Sequence, residues 1–154
     1  MNLFIGILAL IVCTVIGYRL SAKYTAKKNF YSDFYDFNKA LKGEVSFAQK
    51  TIKDLIKNGA AGKGEFFNVI NQKFFEKSED FTVKSLSAEQ TNFLKNYLNT
   101  IGQSDRSTQL KYLDNAESAI SQNLSESTED EKKYKTLYVK LGFLFGLIIL
   151  IALL

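Results

Sequence analysis

The segment most like a ligand-binding motif is the run from Gly59 to Gly64, which reads Gly-Ala-Ala-Gly-Lys-Gly. Glycine-rich loops can cradle phosphates through their backbone amides. A Walker A loop, however, requires a glycine where Lys57 stands, a Ser or Thr after Lys63, and a preceding β-strand. The run therefore predicts a flexible loop between helices and not a nucleotide site.

Residue types that support catalysis or metal binding are otherwise scarce. The 154 residues include no His and a single Cys, Cys13, which lies in a hydrophobic run. His is the usual general base and metal ligand, and a lone thiol cannot form an internal disulfide. Acidic residues lie singly along predicted helices, apart from residues 129–131. We therefore expect a non-enzymatic protein with no cofactor and no metal.

Two uncharged hydrophobic segments lie at the ends of the chain, at residues 3–18 and 141–154. With their neighbours they approach the roughly 20 residues needed to cross a bilayer. Basic residues flank only the inner end of each segment: Arg19, Lys23, Lys27 and Lys28 after the first, and Lys132, Lys133, Lys135 and Lys140 before the second. By the positive-inside rule the middle of the chain lies in the cytoplasm and both termini lie outside.

The predicted domains are a transmembrane helix at 1–18, a cytoplasmic helical domain at 19–140 and a transmembrane helix at 141–154. A signal peptide would carry its positive charge before the hydrophobic segment, which is the opposite order. The net charge of +4 is modest and arginines are few, which is unlike a nucleic-acid-binding protein. We therefore expect the chain to associate with a lipid bilayer and not with nucleic acid. Gly142 and Gly146 form a GxxxG pair that allows close helix packing, although small residues also occur there by chance.

Hydrophobic periodicity predicts helices throughout the middle, and the chain contains no Pro. The first span should continue as a long helix ending at Gly43, followed by a helix that begins with a capping box at Ser46 and Gln49. A third helix carries an apolar face, and Ser78 to Ser85 reads as a polar loop. The apolar face consists of Phe66, Phe67, Ile70 and Phe74.

A second capping box, Ser87 with Gln90, begins a fourth helix that stops at Gly102, and Ser104 is the predicted N-cap of the fifth. The fifth helix should run into the second span, either unbroken or interrupted at the polar stretch from Ser125 to Glu131. Such helices bury their apolar faces only by packing together. The predicted class is all-α, an antiparallel helical bundle between two terminal transmembrane helices.

The run Ile101-Gly102-Gln103-Ser104-Asp105-Arg106-Ser107-Thr108-Gln109 resembles the Leu-Gly-x-Ser-Asp-Arg-x-x-Gln signature of stage III sporulation protein AB. The resemblance continues through Leu86 and Glu89 and through the residues that lead into a glycine-containing terminal span. Those residues are Glu131, Lys133, Tyr134, Lys135 and Leu137. The region from Val45 to Ile52 departs from the family because it lacks the usual Pro-Leu helix start.

The resemblance implies a domain similar to the cytoplasmic domains of general secretion pathway protein F, the platform protein of type II secretion. It implies a multi-pass protein of the outer forespore membrane, on the mother-cell side. There it would serve as a non-enzymatic platform or assembly subunit of the channel complex between mother cell and forespore, required for spore formation. The implied partners are a secretion-type ATPase of the same operon and other stage III sporulation membrane subunits, with self-association left open.

We expect Ser104, Asp105, Arg106 and Gln109 to bind a partner, because the resemblance is densest there. Local alternatives exist: Ser104 suits an N-cap, Asp105 suits a first helical turn, and Arg106 would also suit an ion pair inside the bundle. The alternative function is a membrane-anchored sensor or signalling adaptor, which would normally place its folded domain outside. An enzyme acting on membrane substrates is less favoured because neither span contains an ionisable residue.

Overall fold

The computed structural model describes residues 2–47, 51–78 and 81–153, and these contain five α-helices and no β-strand. The helices are α1 (Asn2–Phe47), α2 (Ile52–Lys57), α3 (Glu65–Phe74), α4 (Ala88–Thr100) and α5 (Arg106–Leu153). The long helices α1 and α5 pack antiparallel against each other. The predicted all-α class is confirmed.

The chain divides into two compact units. We call the first the terminal unit, formed by residues up to Ala26 and from Ser127 onward, and the second the central unit, formed by Lys27–Glu126. Each unit contains part of α1 and part of α5, and only the central unit contains α2, α3 and α4. The predicted domain limits at residues 18 and 141 concern the membrane and stay predictions.

The core of the central unit is built around Phe66, a residue of α3 that is 0% exposed. Its ring lies 5.3 Å from that of Phe30, 5.0 Å from Phe34 and 5.6 Å from Phe37, which are all α1 residues. Edge-to-face and offset-stacked contacts at such distances favour aromatic packing beyond the area they bury. The predicted face of α3 is only partly in the core, since Phe67 and Phe74 are half-buried.

A buried polar node connects α1, α4 and α5 inside this apolar core. Asn38 is fully buried, and its Nδ2 donates to the Leu113 carbonyl at 3.2 Å. The Tyr97 hydroxyl donates to Asn38 Oδ1 at 2.9 Å. These bonds offset the cost of removing the amide and the phenol from water.

The prediction that Gly43 ends the first helix is wrong, because α1 continues to Phe47. The residues after Gly43 remain helical because Val45 packs on the core and Ser46 donates to the Lys42 carbonyl at 2.8 Å. Those contacts outweigh the roughly 0.5–1 kcal/mol that a helical glycine costs relative to alanine.

The start of α2 also differs from the prediction. Ser46 lies inside α1 and so cannot cap α2, while Gln49 and Ala48 lie outside the described residues. The capping box is formed instead by Thr51 and Asp54, where Asp54 N–H donates to Thr51 Oγ1 at 3.3 Å. The box predicted at Ser87 and Gln90 is confirmed at the start of α4. Part of the predicted polar loop, Glu79 and Asp80, lies outside the described residues.

The fifth helix runs unbroken through Ser125–Glu131, which settles the alternative of a local break. Ser127 is buried, and Glu131 accepts a hydrogen bond of 2.9 Å from Thr25 Oγ1 of α1. Glu131 also forms an ion pair with Lys135, one turn further on, at 3.6 Å. The polar stretch therefore has a packed face made of small and paired polar side chains.

Both long helices contain an 18-residue window apolar enough to cross a membrane by length and composition. The surfaces of these helices are compatible with a lipid environment. Among the most exposed large apolar residues described are Phe4, Leu8, Phe145 and Ile148. Association with a membrane is thus supported. The orientation of the spans stays a prediction.

Candidate functional site

The turn between α4 and α5 places the predicted partner-binding residues at one end of the central unit. The chain leaves α4 at Ile101 and turns through Gly102, whose φ of +80° is strained for any residue with a side chain. A Cβ at this position would also lie 3.2 Å from the Ile52 Cδ1 atom of α2. The backbone conformation therefore favours glycine at position 102, and a larger residue would also crowd the Ile52 side chain.

Asp105 is the N-cap of α5, and the prediction that Ser104 holds that position is wrong by one residue. Asp105 Oδ2 accepts hydrogen bonds from the Ser107 and Thr108 amides at 3.1 and 3.2 Å and from Ser107 Oγ at 2.6 Å. These bonds to Ser107 and Thr108 hold the pKa of the Asp105 carboxyl well below its usual range. A negative charge at this position also interacts favourably with the dipole of α5.

Gln109 organises the turn from inside. Its side chain is only 3% exposed, and its Oε1 accepts from the Gly102 amide and from Ser104 Oγ, both at 3.1 Å. Ser104 is thus drawn toward Gln109, which leaves Asp105 as the N-cap. The Gln109 Nε2 group is buried and has no hydrogen-bond partner among the residues that the structure describes.

Arg106 begins α5 and lies at the surface, which differs from the alternative of an ion pair inside the bundle. Its Nη2 donates to the Ser46 carbonyl in the last turn of α1. The final carbonyls of a helix lack intrahelical donors and carry partial negative charge, so a guanidinium is favoured there. Arg106 therefore joins the start of α5 to the end of α1.

Three of the four predicted residues line one groove in the central unit, with a volume of about 340 Å³. We call it the signature groove. Its lining consists of Leu41, Glu44, Val45, Thr51, Ile52, Gly102, Ser104, Arg106 and Gln109. Asp105 is adjacent in sequence and is not part of the lining. The groove thus combines apolar side chains with the hydroxyl of Ser104 and two opposite charges, Glu44 and Arg106.

The glycines Gly142 and Gly146 face α1 within the terminal unit. A Cβ on Gly142 would lie 2.5 Å from the Cys13 carbonyl oxygen, and one on Gly146 would lie 2.7 Å from Leu10 Cα. On α1, Gly17 is equally restricted by the Tyr138 carbonyl. Glycine at these positions lets the two backbones approach closely, as is common in membrane helix pairs.

The glycine-rich loop at residues 59–64 encloses a carboxylate of the chain itself. A Cβ on Gly62 would collide with the Asp33 carboxylate, and the Gly64 amide donates a hydrogen bond to that group. Burial and the neighbouring Asp36 nevertheless raise the Asp33 pKa above its usual value. The glycines of this loop thus make room for a carboxylate of α1. Within the described residues, no group of three or more His, Cys, Asp or Glu could hold a metal ion.

The family model for stage III sporulation protein AB matches residues 2–154 of the chain. The chain belongs to the stage III sporulation protein AB family. No curated protein and no solved structure matches it. The resemblance read from Ile101 to Gln109 is thereby confirmed at the level of the family. A role in sporulation follows from the membership, and the family is not a known enzyme family.

Sequence reasoning placed Gln109 in the signature without finding that it is buried. Glutamine is usually exposed. The one indication of its burial is that it lies on the apolar face of α5, four residues before the buried Leu113. The Asn38 and Tyr97 node was also missed, because nothing in the local sequence of α1 reveals a hydrogen-bond partner on α4. The hydrogen bond from Arg106 to the Ser46 carbonyl of α1 likewise joins residues that are distant in the chain.

Proposed function

We propose that this member of the stage III sporulation protein AB family is a non-enzymatic assembly subunit of the channel between mother cell and forespore. Its cytoplasmic domain would dock a secretion-type ATPase of the same operon, while its spans contact other stage III membrane subunits. The family membership supports the sporulation role, and the two candidate spans support a position in a membrane.

The observation that carries the docking proposal is the exposure of the signature at one end of the central unit. Ser104, Asp105 and Arg106 are all exposed, so a partner can reach their side chains. Gln109, the buried member, fixes the turn through Gly102 and Ser104. A rigid turn with exposed donors costs little conformational entropy to bind.

The proposed location is the outer forespore membrane, with the central unit on the mother-cell side and both termini outside the mother-cell cytoplasm. Its support is the basic residues that follow the first hydrophobic segment and precede the second. Reporter fusions test this orientation. Alkaline phosphatase should be active at either terminus, whereas a green fluorescent protein that folds in the cytoplasm at the carboxyl terminus would contradict it.

Recovery of the ATPase on full-length protein tests the docking proposal. Membranes from sporulating cells would be solubilised, the tagged chain captured, and the ATPase quantified by mass spectrometry. We expect Arg106→Lys to reduce recovery several-fold with little change in thermal stability, because lysine lacks the planar, multidentate guanidinium. The matched control is Arg19→Lys, the chain's other arginine, which should recover the ATPase normally. Lost stability with normal recovery would assign Arg106 to the fold alone.

A further inference from the structure

The terminal unit contains an apolar groove between α1 and α5, at the inner ends of the two hydrophobic segments. We call it the span groove. Its volume of about 360 Å³ is at the lower end for ligand pockets. The lining consists of Cys13, Ile16, Gly17, Leu20, Tyr138, Leu141, Gly142 and Phe145. Apart from the thiol of Cys13 and the hydroxyl of Tyr138, the lining side chains are hydrocarbon, so the groove suits a hydrocarbon chain.

A cluster of tyrosines follows the span groove at its inner end. Tyr24 lies one turn after Leu20 on α1, and its ring stacks on that of Tyr134 with centres 4.5 Å apart. The ring of Tyr138, which lines the groove, lies 6.1 Å from that of Tyr24. Tyrosine is enriched at the boundary between lipid tails and headgroups, because its ring is apolar and its hydroxyl is polar. The cluster therefore suits the level of the headgroups, directly beside the groove.

Two lysines, one from each helix, lie against the tyrosine cluster. Lys23 Nζ is 5.0 Å from the centre of the Tyr24 ring, and Lys133 Nζ is 5.4 Å from the centre of the Tyr134 ring. Both lysines are exposed, and no ion pair joins either ammonium to a carboxylate among the residues that the structure describes. One stacked ring pair thus holds two accessible ammonium groups beside the end of the groove.

The other charged residues of the terminal unit also favour an anion at this level. Acidic residues occur there at positions 129–131, which precede every lysine of the unit's part of α5 and so lie further from the hydrophobic segment. Asp130, which acts electrostatically on Tyr24, is one turn or about 6 Å beyond Tyr134. Glu131 is already bonded to Thr25 and Lys135. The remaining basic residues are Arg19, Lys132, Lys135 and Lys140.

We propose that the terminal unit binds an anionic phospholipid. One acyl chain lies in the span groove, and the negatively charged headgroup pairs with Lys23 and Lys133. A free phosphate would leave the groove uncovered, and a zwitterionic headgroup would bring its own ammonium against the two lysines. The inference rests on the proposed position of the chain in a membrane and is independent of the docking of an ATPase.

Quenching of tryptophan fluorescence by brominated lipids tests this site on the full-length chain. The sequence contains no Trp, so Phe145→Trp introduces a single reporter into the groove. Vesicles of one composition, phosphatidylglycerol and phosphatidylcholine in equal amounts, carry the bromine on one lipid or on the other. We expect the relative association constant to favour phosphatidylglycerol about fivefold, the factor that one basic side chain near a membrane surface contributes.

A second reporter and two double variants locate the binding. Phe143→Trp, on the same helix but outside the groove lining, should be quenched equally by the two lipids. In the Phe145→Trp chain, replacing both Lys23 and Lys133 by Gln should remove the preference for phosphatidylglycerol. The matched control replaces Lys132 and Lys140 by Gln, which removes two exposed charges of the same unit from outside the tyrosine cluster and should keep most of the preference.

Several outcomes would overturn the proposal. Equal quenching of Phe145→Trp by the two lipids would show that the site does not select an anionic headgroup. Equal loss of the preference in both double variants would show that lipid responds only to total charge. Competition by inorganic phosphate would assign the lysines to a free anion, and a reporter that neither lipid quenches in a cross-linkable dimer would assign the groove to a second copy of the chain.

The same measurements separate this proposal from the proposed function. Failed recovery of the ATPase, with the lipid preference intact, would reject the docking function and leave the lipid site standing. Normal recovery of the ATPase without any lipid preference would reject the lipid site alone. Absence of quenching at both reporters, with the chain monomeric, would reject the position of the spans in a membrane and the lipid site together.

Discussion

The terminal and central units pack other helices against α1 in opposite ways. In the central unit large aromatic side chains fill the space between helices, with Phe30, Phe34 and Phe37 around Phe66. In the terminal unit glycines bring the backbones together, and the large apolar side chains point outward, with Phe145 62% exposed.

The difference follows from the surroundings to which each packing pattern is suited, water for the central unit and lipid for the terminal unit. In water, burying aromatic surface is the main gain, so bulky residues belong inside. In a bilayer, lipid is as apolar as leucine, so apolar side chains can face the lipid without cost. Helix association then depends on close contact between small residues. Helix α1 therefore carries two different patterns of packing residues along its length.

The largest effect should come from a charge in the aromatic core. Phe66→Asp places an unpaired carboxylate among Phe30, Phe34 and Phe37, and we expect a loss of at least about 4 kcal/mol of unfolding free energy. Circular dichroism melts of the full chain in micelles measure it. The neighbouring control is Lys63→Ala, an exposed loop position that should be silent. Equal melting temperatures for the two variants would show that the aromatic cluster is not the core.

A smaller effect is expected from enlarging a glycine in the terminal unit. Gly142→Leu would force α5 away from the Cys13 carbonyl, an overpacking that typically costs about 1–3 kcal/mol. The single cysteine reports the separation directly, since Cys13 should react faster with a membrane-permeant maleimide. Gly43→Ala is the matched control, because a Cβ there meets nothing within 4 Å. An unchanged labelling rate in Gly142→Leu would mean that the two helices do not depend on this contact.

The smallest effect concerns the polar node of the central unit. Burial raises the pKa of Tyr97 far above its usual value. The pKa of Tyr31 is also raised, mainly by burial and secondly by the negative charge of Glu126. Unfolded tyrosine ionises near pH 10, whereas the folded side chain stays protonated. Above about pH 10 the unfolded state therefore binds fewer protons, and stability falls as pH rises.

Melting temperatures measured between about pH 8 and pH 12 test this dependence. The wild-type value should change little from Tyr97 and Tyr31 below about pH 10 and fall above it. Tyr97→Phe should fall less steeply, at the cost of about 1 kcal/mol at neutral pH from the hydrogen bond lost to Asn38. Identical slopes for the two chains would exclude Tyr97 as a source of the alkaline transition.

The sequence by itself determined the features that depend on near neighbours. The apolar periodicity indicated the helices, Ser87 and Gln90 formed their capping box as read, and Gly102 ended α4. The signature from Ile101 to Gln109 identified the family. Each of these depends on residues within a few positions of one another, so the physics of a single helix or turn suffices.

The tertiary structure alone decided the features that depend on residues far apart. Helix α1 continues past Gly43 because Val45 packs on the core, and Arg106, sixty positions after Ser46, donates to the Ser46 carbonyl in the last turn. The polar stretch of α5 packs on α1, where Thr25 donates a hydrogen bond to Glu131. Asp105 became the N-cap because the buried Gln109 binds Ser104. A side chain's best partner is set by which helices meet, and no local pattern contains that information.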